Sequence, residues 1–340
     1  MDRLGDVLLS GPAVRAVAGG ADSVTFLASP SGAAAARLLP GVDRVVVQRA
    51  GWIEDPAPPV TDASARSMVE AIRRLDVDEA LVLTSFHQSP LPLALLLRMA
   101  GVPRIGAVSV DYPGALLDVR HHVDDEVHEV RRALSLAQAM GHQLPVGDAG
   151  RLQVHLPHRD VPRIAPGAGY VVVHPGTSVP ARAWSPASHG ALVGCLAARG
   201  WRVFVTGGPA ERALTSAVAA PGGVDLGGRL DLAELAHLVK GAAAIVVANT
   251  GPAHLAAAVG TPVVSLYAPT VPAVRWRPWM VPHVLLGQQD IPCAGCRARA
   301  CPVPGHPCLD HLHPEEVAEA VERLARPAVA VPAPMGGGPP

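Results

Sequence analysis

The stretch Val246-Val247-Ala248-Asn249-Thr250-Gly251-Pro252-Ala253-His254-Leu255-Ala256-Ala257 decides how this chain folds. An apolar run ends at Asn249, Gly251 permits a tight turn, and Pro252 suits a helix start, where its missing N–H costs nothing. Strand, glycine turn and helix in that order make a βα unit. The orphan N–H groups of such a helix start, together with its dipole, favour an anion. A diphosphate fits that chemistry. A plain strand-to-helix turn with proline at its first position fits the same residues, and this stretch alone leaves both readings open.

The same alternation runs outward in both directions. Upstream, strands are expected at Val24–Leu27, Arg44–Val47, Ala80–Leu83 and Arg104–Ala107, with helical patterns at Ser64–Leu75 and Asp124–Met140. A polar, proline-rich stretch from His142 to Gly169 follows. Alternation resumes with strands at Tyr170–His174, Arg202–Thr206, Ala244–Ala248 and Val263–Tyr267. Asp231 and Glu234 form a capping box, and Lys240-Gly241 closes that helix. His313-Pro314-Glu315-Glu316 opens a last helix with proline and acids in its first turn. Strand–helix alternation of this kind gives parallel sheets covered by helices. The expected fold is therefore α/β, with two Rossmann-like domains facing a central cleft. Residues 1–160 form the first and 168–326 the second, and 327–340 are a Pro/Gly-rich tail expected to be disordered. Ligands in such folds sit at the carboxyl ends of the strands.

Composition removes several function classes. Of 340 residues, 49% are hydrophobic and 17% charged, and the net charge is −1, which excludes a disordered chain and a strongly basic nucleic-acid binder. Lys240 is the only lysine, so a Walker P-loop is absent. Aromatic residues are 3%, too few for a single-strand stacking platform. The longest apolar cluster, Leu91–Met99, is broken by Pro92 and Arg98, so no transmembrane segment is expected. No export signal is readable around Asp2, Arg3 and Asp6, which makes the cytoplasm the expected compartment. Peripheral contact at the inner face of a membrane stays open.

Three further stretches carry chemistry. His174-Pro175-Gly176-Thr177-Ser178 leads to Arg182-Ala183-Trp184, a strand running into a loop with an arginine able to grip phosphate. Val205-Thr206-Gly207-Gly208-Pro209-Ala210-Glu211 is a second strand and glycine turn, with Glu211 placed to accept from ribose hydroxyls. Arg3-Leu4-Gly5-Asp6-Val7-Leu8-Leu9-Ser10-Gly11-Pro12 sets an acid at the start of an apolar helical run; a first-turn aspartate favoured by the helix dipole explains it equally well.

Together the four stretches resemble glycosyltransferase family 9, the ADP-heptose:lipopolysaccharide heptosyltransferases, in motif order and spacing over nearly the whole chain. Asp225-Leu226-Gly227-Gly228 also looks like the family. The resemblance implies a GT-B fold and inverting sugar transfer from a nucleotide-diphosphate donor, ADP-linked as in the family's name, with no cofactor and no metal in the transfer. It implies Asp6 as general base. It places Thr177, Ser178, Arg182, Gly207, Gly208, Glu211, Asn249, Thr250, Gly251 and His254 on the donor. The acceptor would be a cell-envelope glycan or a small molecule, and nucleic acid is not an expected partner. Residues His87, Arg120, His121 and His128 are expected on the acceptor side, the first after a strand and the last within a helix.

Departures from the family pattern are readable. Arg182 stands where the family usually has lysine, and Asn249 where it has aspartate. The family has a first strand just before its Gly-Asp motif, so that strand is expected to be missing here, with a start codon lying upstream. A nucleotide-sugar epimerase of the same fold, or an inactive nucleotide-sugar-binding protein, are the alternatives. Cys293, Cys296, Cys301 and Cys308, with His306, His311 and His313 nearby, look like a zinc knuckle, and reduced cysteines shaping a loop are the other reading.

Overall fold

The computed structural model describes residues 3–54, 56–85, 88–157 and 169–325. Its first half runs α1 (Leu4–Leu9), α2 (Gly11–Ala18), β1 (Thr25–Ala28), α3 (Ala33–Ala36), β2 (Arg44–Val47), α4 (Asp62–Arg73), β3 (Glu79–Val82), α5 (Leu91–Ala100), β4 (Arg104–Val108), β5 (Val119–His121) and α6 (Glu129–Ala139). The second half runs β6 (Tyr170–His174), α7 (Pro186–Ala198), β7 (Arg202–Val205), α8 (Arg212–Ala219), β8 (Val224–Asp225), α9 (Leu232–Lys240), β9 (Ala244–Ala248), α10 (Gly251–Val259), β10 (Val263–Leu266), α11 (Ala273–Trp276), β11 (His283–Leu286) and α12 (Pro314–Ala325). The proposed tail and the end of the proline-rich linker lie outside the described residues.

Every paired strand is parallel. The second half is one six-stranded sheet in the order β11-β10-β9-β6-β7-β8. Its central strands read as near-continuous apolar runs because both faces are covered. Alternate residues go to opposite faces: Val171, Val173, Val203, Val205 and Val246 pack under α7, α8 and α12. Val172, Phe204, Ile245 and Val247 pack under α9 and α10.

The first half pairs its strands as two sheets, β1-β2 and β3-β4-β5. The α1–α2 segment packs on both. Val7, Leu8 and Val14 join Phe26 and Ala28 of β1. Ala13 and Ala16 of α2 join Ala133 and Ala137 of α6 and Leu81 and Leu83 at β3.

The halves are fastened together. His128 Nε2 donates to Arg277 O at 2.9 Å, and its ring lies 4.4 Å from that of Trp279. Trp279 Nε1 donates to Gly150 O at 2.8 Å, and Arg151 Nη1 to Met280 O at 2.6 Å. Among the described residues no helix is long and apolar enough to cross a membrane.

Candidate functional site

β7, β6 and β9 are neighbours in the large sheet, and each ends in one of the donor-side stretches. After β6 the chain moves to β7 on one side, and later returns to β9 on the other. That reversal opens a crevice at the carboxyl ends of β6 and β9, the place where open α/β sheets bind ligands.

At the end of β9, Thr250 precedes α10 without a side-chain cap, and Pro252 sits in the first turn. Pro252 has no N–H and Ala253 N donates to Thr250 O at 3.0 Å, so what the start of α10 offers an anion is chiefly the positive end of its dipole. Two polar side chains join it. Asn249 is 4% exposed and His254 3% exposed. Asn249 Nδ2 and His254 Nδ1 are buried without a hydrogen-bond partner among the described residues. Burial pushes the His254 imidazole down to about 3, and the neighbouring His128 and Arg182 act in the same direction, so the ring is neutral. Buried polar atoms left unsatisfied are uncommon and mark places where a ligand group fits.

Arg182 reaches the same place from the loop after β6. Its Nε donates to Thr270 Oγ1 at 3.1 Å, and its Nη1 to Asn249 O at 3.4 Å. Burial lowers its pKa, while Tyr267 and Asp6 oppose the shift. A guanidinium stays cationic under such a shift, so a fixed positive charge stands beside the α10 start.

Asp6 comes from the other half. It lies in the first turn of α1, and α1 abuts the start of α10. The approach is close, and glycine on both sides eases it. A Cβ on Gly5 would lie 3.0 Å from His254 Cδ2 and 3.4 Å from Gly251 Cα, and one on Gly251 would lie 2.5 Å from Leu4 Cδ2. Two stretches far apart in sequence thus meet backbone to backbone, with the carboxylate, the guanidinium and the helix start around one crevice.

The third group expected on the donor side is Glu211. Its Oε2 accepts from Gly208 N at 2.7 Å. The carboxylate lies over Gly176, where a Cβ would overlap it, with the farther oxygen at 2.7 Å. His174 Nδ1 bonds Thr206 Oγ1 at 3.0 Å beneath this pair. Thr177 makes a local turn, accepting from Val179 N at 3.3 Å, and Ser178 is exposed beside it.

The acceptor-side expectations fare differently. His87 lies outside the described residues. Arg120 and His121 are on strand β5, where no strand was expected. Arg120 donates to Ser109 O at 3.2 Å and Val110 O at 2.6 Å, and His121 Nε2 bonds Ser135 Oγ at 3.0 Å. His128 is not inside α6 but caps it, accepting from Val130 N at 3.2 Å. With its other nitrogen on Arg277 O it fastens the halves, and burial pushes it down to about 4. None of these three lines the pocket at Asp6. That pocket is lined by Ser10, Thr84, Ser85 and Glu129 among others. Sequence reading missed Ser10, Thr84 and Glu129. The signals were their places beside Asp6, at the end of β3 and at the start of α6.

A family model for glycosyltransferase family 9 (heptosyltransferase) matches residues 65–306. The chain belongs to this family. Lipopolysaccharide heptosyltransferase 1 of Pseudomonas aeruginosa is 33% identical over 300 residues, covering 78% of this chain and 81% of that protein. The glycosyl transferase family 9 structure from Veillonella parvula superposes with a TM-score of 0.77 at 16% identity, over 96% of this chain and 95% of that one. E. coli ADP-heptose lps heptosyltransferase II gives 0.73 at 18% identity, over 96% of each chain. E. coli heptosyltransferase WaaC with ADP gives 0.66 at 20% identity, again over 96% of each. The fold of this family 9 glycosyltransferase is accordingly GT-B.

Proposed function

We propose that this glycosyltransferase moves a heptose-type sugar from an ADP-linked donor to a hydroxyl of a lipopolysaccharide acceptor, with inversion and without a metal in the transfer step. The single observation that carries this reading is the Gly5–Gly251 approach, which sets Asp6 beside the α10 start and Arg182. The relatives' names supply the donor and acceptor classes, since one of the matched structures holds ADP and another ADP-2-deoxy-2-fluoro heptose.

The diphosphate lies against the start of α10, at the positive end of its dipole, and the Arg182 guanidinium. Glu211 accepts from the ribose hydroxyls, and Asn249 and His254 turn their buried nitrogens to sugar or phosphate oxygens. The acceptor hydroxyl enters by the pocket of Ser10, Thr84, Ser85 and Glu129. Asp6 takes its proton as the oxygen attacks the anomeric carbon from the face opposite the diphosphate. Negative charge grows on the leaving oxygen, where the preorganised cation and helix dipole stabilise it. These groups supply the charge that a metal provides in other transferases. Asn249 in place of an acid removes one negative charge beside the diphosphate and keeps a donor and an acceptor for sugar hydroxyls.

A membrane-borne acceptor would be reached from the surface. Val110 and Tyr112 are 84% and 83% exposed after β4, and Leu95 and Met99 of α5 are exposed too.

The test is calorimetric titration with ADP, UDP, GDP and their sugars. ADP and ADP-heptose should bind more tightly than the others. Equal or absent binding of all of them by a cooperatively melting protein would overturn the donor assignment.

A further inference from the structure

The four loop cysteines, Cys293, Cys296, Cys301 and Cys308, are free thiols, and among the described residues no three His, Cys, Asp or Glu side chains form a set able to hold a metal ion. Unassigned chemistry lies instead in the pocket at Asp6, which holds a second carboxylate. Glu129 stands in the first turn of α6. An acid there suits the helix dipole, but such acids ordinarily face water, and Glu129 is only 7% exposed. Ala133, one turn further on, lines the same pocket, so one face of α6 is turned to it.

The wall around that face is braced. Arg132 Nη1 donates to Thr84 O at 3.0 Å, tying α6 to the end of β3. Thr84 Oγ1 is buried without a hydrogen-bond partner among the described residues. The two carboxylates answer to different cations. Burial lowers the pKa of Arg182, and Tyr267 and then Asp6 oppose it on the donor side. Burial also lowers the pKa of Arg132 and of Arg275, and at both the first opposing charge is Glu129. Arg275 comes from α11 in the second half, and its Nη2 also lies 3.5 Å from Oδ1 of Asp125, an exposed acid.

We propose that Glu129 binds the acceptor, accepting a hydrogen bond from a second hydroxyl of the sugar whose first hydroxyl gives its proton to Asp6, and so decides which hydroxyl is glycosylated. This assignment rests on the transfer reaction proposed above. A sugar ring offers several hydroxyls of similar reactivity, and one base cannot choose among them. A second carboxylate, fixed on a different element, holds the ring in one orientation. A carboxylate only accepts, so it selects a hydroxyl at that place, and Thr84 Oγ1 adds a group able to donate or accept beside it. The acceptor class is therefore a sugar with at least two free hydroxyls.

The test uses the full chain with heptose-free lipopolysaccharide, and with its core saccharide carrying single hydroxyls replaced by hydrogen. Glu129→Ala should raise the acceptor KM roughly 10- to 100-fold, with the KM for ADP-heptose and the ADP affinity unchanged. Glu129→Gln should show part of that rise. One deoxy saccharide should lose a similar factor with the native protein and nothing further with Glu129→Ala. Asp125→Ala removes the other acid at Arg275 and should leave the acceptor KM as it is. An unaltered acceptor KM in Glu129→Ala, or an equal rise in Asp125→Ala, would overturn the assignment, the second by making Glu129 a fastener of Arg275. Where Glu129→Ala does not melt cooperatively, Glu129→Gln, of nearly the same size, carries the same comparison. If the native protein transfers nothing, calorimetric titration with the saccharide decides. Binding weakened by Glu129→Gln would uphold the contact while the transfer reading falls, and no binding by the native protein would overturn both.

Discussion

Replacing Gly176 by alanine tests the placement of Glu211 without touching Glu211 itself. The added Cβ would overlap the Glu211 carboxylate, with the farther oxygen at 2.7 Å. Gly176 itself is buried, but the clashing atoms are the far end of a flexible, half-buried side chain. The carboxylate can swing away without moving the backbone, at a cost of about 1–3 kcal/mol, so the protein should still melt cooperatively, a few degrees lower. In swinging it gives up its bond from Gly208 N, 2.7 Å long, and the place proposed for it under the ribose. A hydrogen bond to a charged group contributes about 1.5–3 kcal/mol. At about 1.4 kcal/mol per factor of ten, ADP should bind roughly 10- to 150-fold more weakly. Glu211→Ala should lose a similar amount. The double variant should be little worse than either single one, since both remove the same contact. Calorimetric titration of ADP with the three variants reads this directly. Unchanged ADP affinity in Gly176→Ala, or two losses that simply add, would refute the reasoning.

Other expected outcomes concern charge. Arg182→Ala should weaken ADP binding by about 1.5–3 kcal/mol, and Arg182→Lys should recover part of it, because lysine restores the charge without the fork; equal affinities in a titration of all three proteins would remove Arg182 from the diphosphate site. Burial pushes His254 down to about 3, and His128 and His189 to about 4. These rings fold neutral, so their contribution is present above an unfolded pKa near 6.5 and is lost as pH falls. Each should cost about 2 kcal/mol of stability by pH 5, and urea midpoints should drop steadily between pH 6.5 and 5. A flat profile over that interval would contradict the burial of these rings.

Much of the fold is legible in the sequence where burial imposes a single pattern. β2, β6 and β9 are observed at Arg44–Val47, Tyr170–His174 and Ala244–Ala248, the ranges expected from their apolar runs. The last two are central strands with both faces covered, so their interior residues had to be apolar, and His174, at the end of β6, finds Thr206 as a partner. β5, β8 and β11 escaped because they are short strands at sheet edges, and Val119-Arg120-His121 and Val224-Asp225 show no period to read. The helix expected from Asp124 begins only at Glu129, because His128 is held extended and caps it.

The residues proposed for the donor could be grouped from sequence because each lies in the segment that follows a strand, and neighbouring strands bring their ends together. The pocket at Asp6 could not. It forms only when the end of β3, the start of α6 and α1 converge, which no local spacing records. Arg120 and His121 read as site residues because their chemistry fits, yet they bond within their own half.

The most direct measurement compares sugar transfer and ADP binding in the native protein and in Asp6→Asn. Transfer from ADP-heptose to lipopolysaccharide lacking heptose is followed by mass spectrometry, and ADP binding by calorimetry on the same samples. The account predicts transfer by the native protein, a loss of at least about 100-fold in Asp6→Asn, and ADP affinity equal within error. Equal transfer by both proteins, or loss of ADP binding together with transfer, would contradict the assignment of Asp6 as the base facing a separately built donor site.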